Sequence, residues 1–162
     1  MKFLQTGIYI ALIVAVNWAF SVVDPVILPN GAAWPPVSLI VGFIFVSRDF
    51  AQREIGHWVI IAMLAGGAIS YFMASPQIAM ASVAAFLVAE FIDWAIYTFT
   101  GRTLSQRILL SSIVATPVDS AVFLYMAGFG SPFAVLIQTL SKLVGAVIVW
   151  WIVRQREKTG AA

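Results

Sequence analysis

Long apolar runs alternate with short connections that are polar or contain Pro and Gly along the whole chain. A helix of roughly 17–25 mainly apolar residues is long enough to cross a bilayer. The second run can extend through Ile55 as an amphipathic turn, because Gly56 is the first strong helix stop after it. The pattern predicts an all-α, polytopic integral membrane protein with a bundle of six transmembrane helices. The predicted spans cover residues 4–23, 36–50, 58–74, 78–99, 108–127 and 133–153.

The predicted spans divide the chain into one domain and a short tail. Residues 1–153 are expected to form a single six-helix transmembrane domain, and residues 154–162 a polar, frayed cytoplasmic tail. The first run begins like a signal peptide, with Lys2 ahead of it, but it exceeds the usual ~7–15 apolar residues and no clear cleavage site follows. We therefore predict that it is retained as the first span.

Composition agrees with this class and excludes several functions. Hydrophobic residues make up 62% of the chain and charged residues 10%, whereas soluble domains average about 45–50% and about 25%. The net charge of +2 is distributed between apolar runs rather than gathered in a patch, so no nucleic-acid partner is expected. Without cysteine, and with only one histidine, the chain offers no thiolate or histidine-based metal site, and no cofactor is predicted.

Basic residues fall in alternate connections, which predicts the orientation. Eight of the nine lie at the N-terminus, after the second and fourth spans, or after the sixth, and the other three connections contain none. The positive-inside rule makes the basic side cytoplasmic. We therefore expect a multi-pass protein of the plasma (inner) membrane with both termini in the cytoplasm. These eight residues are Lys2, Arg48, Arg53, Arg102, Arg107, Arg154, Arg156 and Lys158.

Four ionisable residues lie inside predicted spans: Glu90, Asp93, Asp119 and Lys142. Counting along each helix places them at similar depth, near the middle of the bilayer. Charge at that depth is costly and usually faces a bundle interior or a wet cavity. One interpretation is a midplane pocket for a small, planar, polar molecule, with carboxylate acceptors and an ammonium donor. The alternative is structural, with Lys142 pairing a carboxylate only to hold helices together.

Other polar and aromatic residues could complete such a pocket. Arg48 and Asp49, at the end of the second span, could close it or form a gate, or could belong to an interfacial charge cluster. Gln138 is four residues before Lys142 and shares its helix face, and Tyr97 could stack on a flat heterocycle. Asn17 is expected to hydrogen-bond between helices instead.

Enzyme motifs are absent from the sequence, so catalysis is not expected. There is no Walker loop, no Gly-x-Ser-x-Gly, no dinucleotide fingerprint and no His-Glu-x-x-His. Asp93 and Asp119 could in principle form an aspartate dyad, but Lys142 at the same depth favours an ion-pair network.

Four segments, taken in order, resemble the VUT family of queuosine-precursor transporters. They are PPVSLIVGFIFVSRDFAQREIG ending at Gly56, AEFIDWAIYTF ending at Phe99, PVDSAVF beginning at Pro117 and SKLVG beginning at Ser141. The resemblance implies a six-helix importer or exchanger of deazaguanines such as 7-cyano-7-deazaguanine. It also implies that the pocket is lined by Asp49, Glu90, Asp93, Asp119 and Lys142.

Two further functions stay open at this stage. The family has distant ties to the substrate-binding subunits of energy-coupling-factor importers, so the chain could serve an ATP-driven complex through an ATPase partner. A non-transporting membrane scaffold is the second alternative, and the chain could also form a homo-oligomer.

Overall fold

Helices dominate the computed structural model, which describes residues 3–76 and 78–159. With 81% of the residues in helix, the all-α prediction is confirmed. A 3₁₀ turn at Gly56–Trp58 joins the second and third helices. The six α-helices are α1 (Leu4–Val22), α2 (Ser38–Ile55), α3 (Val59–Met73), α4 (Ala79–Phe99), α5 (Leu104–Met126) and α6 (Pro132–Lys158). Lys2 and the last three residues of the predicted tail lie outside the described residues.

Five helical stretches in the described part of the chain are long and apolar enough to cross a membrane. The number is five because Ser38–Met73 forms one stretch of 36 residues through the 3₁₀ turn, and α3 by itself has 15 residues. The protein is therefore a membrane protein with several apolar helices. Six spans, and the cytoplasmic placement of both termini, stay predictions.

Two helix ends differ from the sequence prediction. Helix α5 begins at Leu104 rather than at residue 108, and α6 continues through Lys158 rather than ending at residue 153. The reason is a contact between them: the Glu157 carboxylate accepts hydrogen bonds from the Ser105 backbone N–H at 3.0 Å and from its hydroxyl at 2.5 Å. Residues 154–158 are thus helical, and the prediction that they are frayed was wrong.

The helices form a closed circuit. Its packing order is α1, α2, α6, α5, α4, α3 and back to α1, while α2 also touches α4 and α5 across the centre. Polar side chains such as Ser111 and Thr116 are fully buried inside the circuit, whereas Phe72, Phe99 and Trp58 are more than 70% exposed outside it. This distribution suits a protein whose exterior meets lipid and whose polar groups must find partners within the bundle.

Glycine allows close helix contact at two levels of the bundle. A Cβ placed on Gly66 would lie 2.6 Å from Ile13 Cδ1 and 2.9 Å from Phe86 Cζ, so α3 approaches α1 and α4 closely. A Cβ on Gly42 would overlap the backbone carbonyl of Lys142. Helices α2 and α6 therefore cross almost backbone to backbone beside Lys142.

A small hairpin between α1 and α2 is the main feature outside the helices. Strands β1 (Val26–Ile27) and β2 (Ala33–Trp34) pair in antiparallel register. The indole N–H of Trp34 donates to the Ser141 hydroxyl at 2.8 Å, which ties the hairpin to α6. The Pro- and Gly-rich composition of this segment predicts a break between helices but gives no signal for strands as short as these.

Candidate functional site: an internal cavity and a buried charge cluster

A cavity of about 430 Å³ lies within the helix circuit. Pockets for small molecules typically measure ~300–1,000 Å³. All six helices contribute to its wall, and it extends from the level of Lys142 to the connection between α3 and α4. This end of the bundle carries the connections 23–37, 74–78 and 127–131, which contain no Lys or Arg, and we call it the distal face. The opposite end carries Arg53, Arg102 and Arg154, and we call it the basic face. The cavity thus occupies the distal half of the protein.

The charged groups of the cavity come from α5 and α6, and α6 also supplies Gln138. Lys142 Nζ pairs with Asp119 Oδ2. Gln138 lies one helical turn before Lys142, and its buried Oε1 accepts no hydrogen bond from any described residue. On the other side of the cavity, Asn17 Nδ2 donates to the Ser70 hydroxyl at 3.2 Å. The cavity therefore offers a cation, a carboxylate and a vacant amide acceptor within one apolar enclosure.

Aromatic rings flank these polar groups. Phe86 from α4 and Phe123 from α5 line the cavity together with Phe20 of α1. Phe123 is one helical turn beyond Asp119, so ring and carboxylate share a helix face. A flat molecule bound to the Asp119 carboxylate would lie within reach of this ring.

A separate group of charges, the Arg48 cluster, lies on the basic side of the cavity. It consists of Arg48, Asp49 and Gln52 from α2 with Glu90 and Asp93 from α4. The guanidinium of Arg48 is fully buried. Its Nη2 lies 2.8 Å from Asp49 Oδ1 and also pairs with Asp93 Oδ2, while its Nε is 3.7 Å from Glu90 Oε2. One side chain thus holds carboxylates from two helices together.

Hydrogen bonds extend the Arg48 cluster across the bundle. Arg48 Nη1 donates to Gln52 Oε1, and Gln52 Nε2 donates to the Thr98 hydroxyl at 2.8 Å. The Tyr9 hydroxyl of α1 donates to Glu90 Oε2 at 2.9 Å. The cluster therefore ties α1, α2 and α4 together and closes the basic half of the bundle.

Tyr97 lies beside the Arg48 cluster, between two guanidinium groups. The Cζ of Arg48 is 5.7 Å from the centre of its ring, and the Cζ of Arg107 from α5 is 4.8 Å from it. Both distances are typical of cation–π contacts. The ring consequently brings a second cation to the edge of the cluster.

The structure separates the residues that the sequence predicted as one site. Asp119, Gln138 and Lys142 line the cavity. Arg48, Asp49, Glu90 and Asp93 form the other cluster with Tyr97 beside it, and none of the five is part of the cavity wall. The expectation of a single hollow shared by all the buried charges is thereby corrected. Depth along a helix follows from residue counting, but the neighbour that a side chain meets depends on helix order, which counting does not give.

Two polar residues, Tyr9 and Asn17, have positions in the structure that the sequence did not predict. Tyr9 is fully buried against Glu90, although it reads as one more aromatic residue in the first apolar run. Asn17 makes the predicted contact between helices and lines the cavity as well. Arg48, which counted as a loop charge for the orientation, belongs to the interior instead.

Apolar helices arranged around an internal cavity and a buried charge network define a polytopic membrane protein. The family model described as "Putative vitamin uptake transporter" matches residues 5–155. The chain belongs to this family, which confirms the resemblance drawn from the four segments. No curated protein and no solved structure matches the chain. Membership of a transporter family indicates a small-molecule substrate and agrees with the expectation that the chain is not an enzyme.

Proposed function

We propose that the protein transports a queuosine precursor, 7-cyano-7-deazaguanine or a related deazaguanine, and binds it in the cavity of the distal half. Support for transport comes from the family match over residues 5–155. Support for a small planar substrate comes from the cavity, whose volume of about 430 Å³ suits a bicyclic base with some bound water. The observation that carries the proposal is the combination, within this cavity, of Asp119, Lys142 and the vacant Gln138 acceptor.

The hydrogen-bonding groups of a deazaguanine complement those of the cavity. Its ring N–H and exocyclic amine are donors, which the Asp119 carboxylate and Gln138 Oε1 can accept. Its ring carbonyl is an acceptor for the Lys142 ammonium. Phe123 or Phe86 would stack on the flat ring. A base of this kind leaves none of the three polar side chains unpaired, which is the condition for burying them without a large penalty.

The distribution of charge supports an orientation. We assign the protein to the plasma membrane with six spans, the basic face and both termini in the cytoplasm, and the cavity facing outward. This assignment is supported by the basic residues Arg53, Arg102, Arg107 and Arg154. Arg48 is no longer counted as a basic residue of that face, because its side chain is buried. In this orientation the Arg48 cluster would separate the cavity from the cytoplasm.

Uptake by the chain alone tests the proposal. Proteoliposomes containing only this protein and no ATP should take up labelled 7-cyano-7-deazaguanine. Gln138→Leu and Lys142→Met should each weaken binding roughly 10- to 100-fold, as expected when a hydrogen bond worth ~1.5–3 kcal/mol is lost. Leu140→Ala is the matched control on α6, because Leu140 is 52% exposed on the lipid side, and it should bind normally.

The outcomes separate the remaining functions. Binding of the base without uptake would point to a substrate-binding subunit that needs an ATPase partner. If the protein neither binds the base nor takes it up, the proposal is contradicted and a scaffold role remains. Normal binding by both cavity variants would show that the base binds elsewhere.

A further inference from the structure

The charges of the Arg48 cluster do not balance. Three carboxylates, those of Asp49, Glu90 and Asp93, are fully buried. Two guanidinium groups face them, Arg48 at the centre and Arg107 beyond the Tyr97 ring. The region therefore carries three potential negative charges against two positive ones, and the three carboxylates are fully buried. An uncompensated buried carboxylate costs far more than a surface one, and such a group normally takes up a counter-charge.

Glu90 is the carboxylate that lies farthest from the Arg48 guanidinium. Asp49 and Asp93 both lie against Nη2 of Arg48, whereas Glu90 Oε2 is 3.7 Å from Nε. Its other oxygen, Oε1, is buried and has no hydrogen-bond partner among the described residues. A proton on Oε1 would neutralise the side chain without disturbing the Tyr9 hydroxyl, which donates to Oε2.

We propose that Glu90 is a proton-binding site and that a proton moving with the substrate drives transport. This inference rests on the proposed transport function. Intramembrane acids of this kind act as proton relays in many transporters. A proton fits better than a metal cation, because no group of three acidic, histidine or cysteine side chains in the described part of the chain could hold a metal ion. Beyond the Arg48 cluster, the buried charged groups of α5 and α6, Asp119 and Lys142, already neutralise each other.

The proton can reach Glu90 from the cavity. Phe86, four residues before Glu90 on the same face of α4, lines the cavity, and one helical turn is about 5.4 Å. Ile13 and Phe86 meet above Gly66 and form the apolar layer between cavity and cluster. The Phe86 ring packs directly against Gly66, and a movement of the ring away from this contact would open the shortest path.

Protonation would also change how firmly the basic half is closed. Ionised Glu90 attracts the Arg48 guanidinium of α2 toward α4. Neutral Glu90 leaves Arg48 held by Asp49 and Asp93 alone. Proton binding and the attraction between α2 and α4 are therefore linked, which is what coupling requires.

Infrared spectroscopy of the purified full chain tests the proton site without any substrate. A protonated carboxyl group gives a carbonyl stretching band that ionised carboxylates lack. The wild-type protein should show this band at neutral pH, and E90Q should lose it. Asp24→Asn is the control, because Asp24 is exposed and should not affect the band. Retention of the band in E90Q, or its absence from the wild type, would overturn the proposal.

Transport tests the coupling. With one proton per substrate, an inward gradient of about one pH unit should concentrate 7-cyano-7-deazaguanine up to about tenfold in proteoliposomes. E90Q should still exchange the base across the membrane but should not concentrate it. Concentration driven by a sodium gradient at equal pH, or undiminished in E90Q, would overturn the coupling. Complete absence of uptake, with the infrared band lost only in E90Q, would refute the transport function and retain the proton site.

Discussion

At the scale of single residues, the buried charges form two separate groups, the Asp119–Lys142 pair and the Arg48 cluster. Glu90, Asp119 and Lys142 stand out because they interrupt apolar runs. Residue counting places them at similar depth, and this is insufficient because a bundle has several interior faces at each depth. Only the helix order shows that Lys142 belongs with Asp119, and Glu90 with Arg48.

The Asp119–Lys142 pair should behave as one thermodynamic unit. Lys142→Met leaves a buried carboxylate alone and should lower the free energy of unfolding by roughly 3–5 kcal/mol. The double variant with Asp119→Asn should recover more than half of that loss, because no buried charge remains. Unfolding titrations in detergent of the two single variants and the double variant measure the coupling between the two charges. Additive losses of stability would show that the two side chains do not interact.

Arg48 should not be replaceable by lysine. Its planar fork reaches Asp49, Asp93 and Gln52 in different directions, which a single ammonium cannot do. We expect Arg48→Lys to lose about 3–5 kcal/mol of stability, as when a buried pair is broken. Arg53→Lys, at an exposed position in the same helix, should stay within ~0.5 kcal/mol. Equal stability of both variants in thermal unfolding would contradict this prediction.

At the scale of helices, the predicted bounds are correct where the hydrophobic pattern alone determines where a helix begins and ends. The bounds of α1, α3 and α4 agree with the predicted spans within one residue, because apolar runs with sharp ends define them. The start of α5 was missed because Ser105 reads as part of a polar loop. Its partner, Glu157, is 52 residues away, and no local signal reports a contact at that distance.

Glu157 should hold the first turn of α5. Its replacement by Ala removes an acceptor for the Ser105 N–H, an effect similar to the loss of a helix cap worth ~1 kcal/mol. Amide hydrogen exchange at residues 105–107 should become about fivefold faster, while the first turn of α1, which Glu54 holds in the same way, stays protected. Unchanged exchange at residues 105–107 would show that the contact is not needed.

The crossing of α2 and α6 should tolerate no side chain at Gly42. A Cβ there overlaps the Lys142 backbone, so Gly42→Ala should cost about 1–3 kcal/mol or more, because the helices must separate. Gly7→Ala in α1 is the matched control, with nothing within 4 Å of the added carbon. It should be neutral or stabilising by up to ~1 kcal/mol. Thermal unfolding compares the two, and a Gly42→Ala variant as stable as Gly7→Ala would refute the close crossing.

At the scale of the whole molecule, the two halves of the bundle have different characters. The distal half is hollow and contains the Asp119–Lys142 pair, whereas the basic half is filled by the Arg48 cluster. The cavity and the Arg48 cluster therefore occupy opposite halves of the bundle. The sequence predicted two distinct faces from the distribution of Lys and Arg, but it gave no indication of which half contains the cavity.

The chain has no cysteine, so single introduced cysteines can report this sidedness. Ser21→Cys and Ser75→Cys line the cavity near the distal face, and Thr103→Cys lies on the basic face. In intact cells, a maleimide that cannot cross membranes should label the first two and spare the third. Labelling of Thr103→Cys alone would reverse the proposed orientation.

The shortness of α3 has a consequence for the lipid around it. Its 15 residues rise only about 22 Å, less than the ~30 Å of an average hydrocarbon core. If α3 spans the membrane as predicted, the bilayer must become thinner beside it, or the residues that flank it must extend to the interface, and either adjustment costs fractions of a kcal/mol per Å. The acyl-chain length of the surrounding lipid therefore affects α3, the helix that carries Gly66. Membrane thickness thus influences which conformation the protein favours.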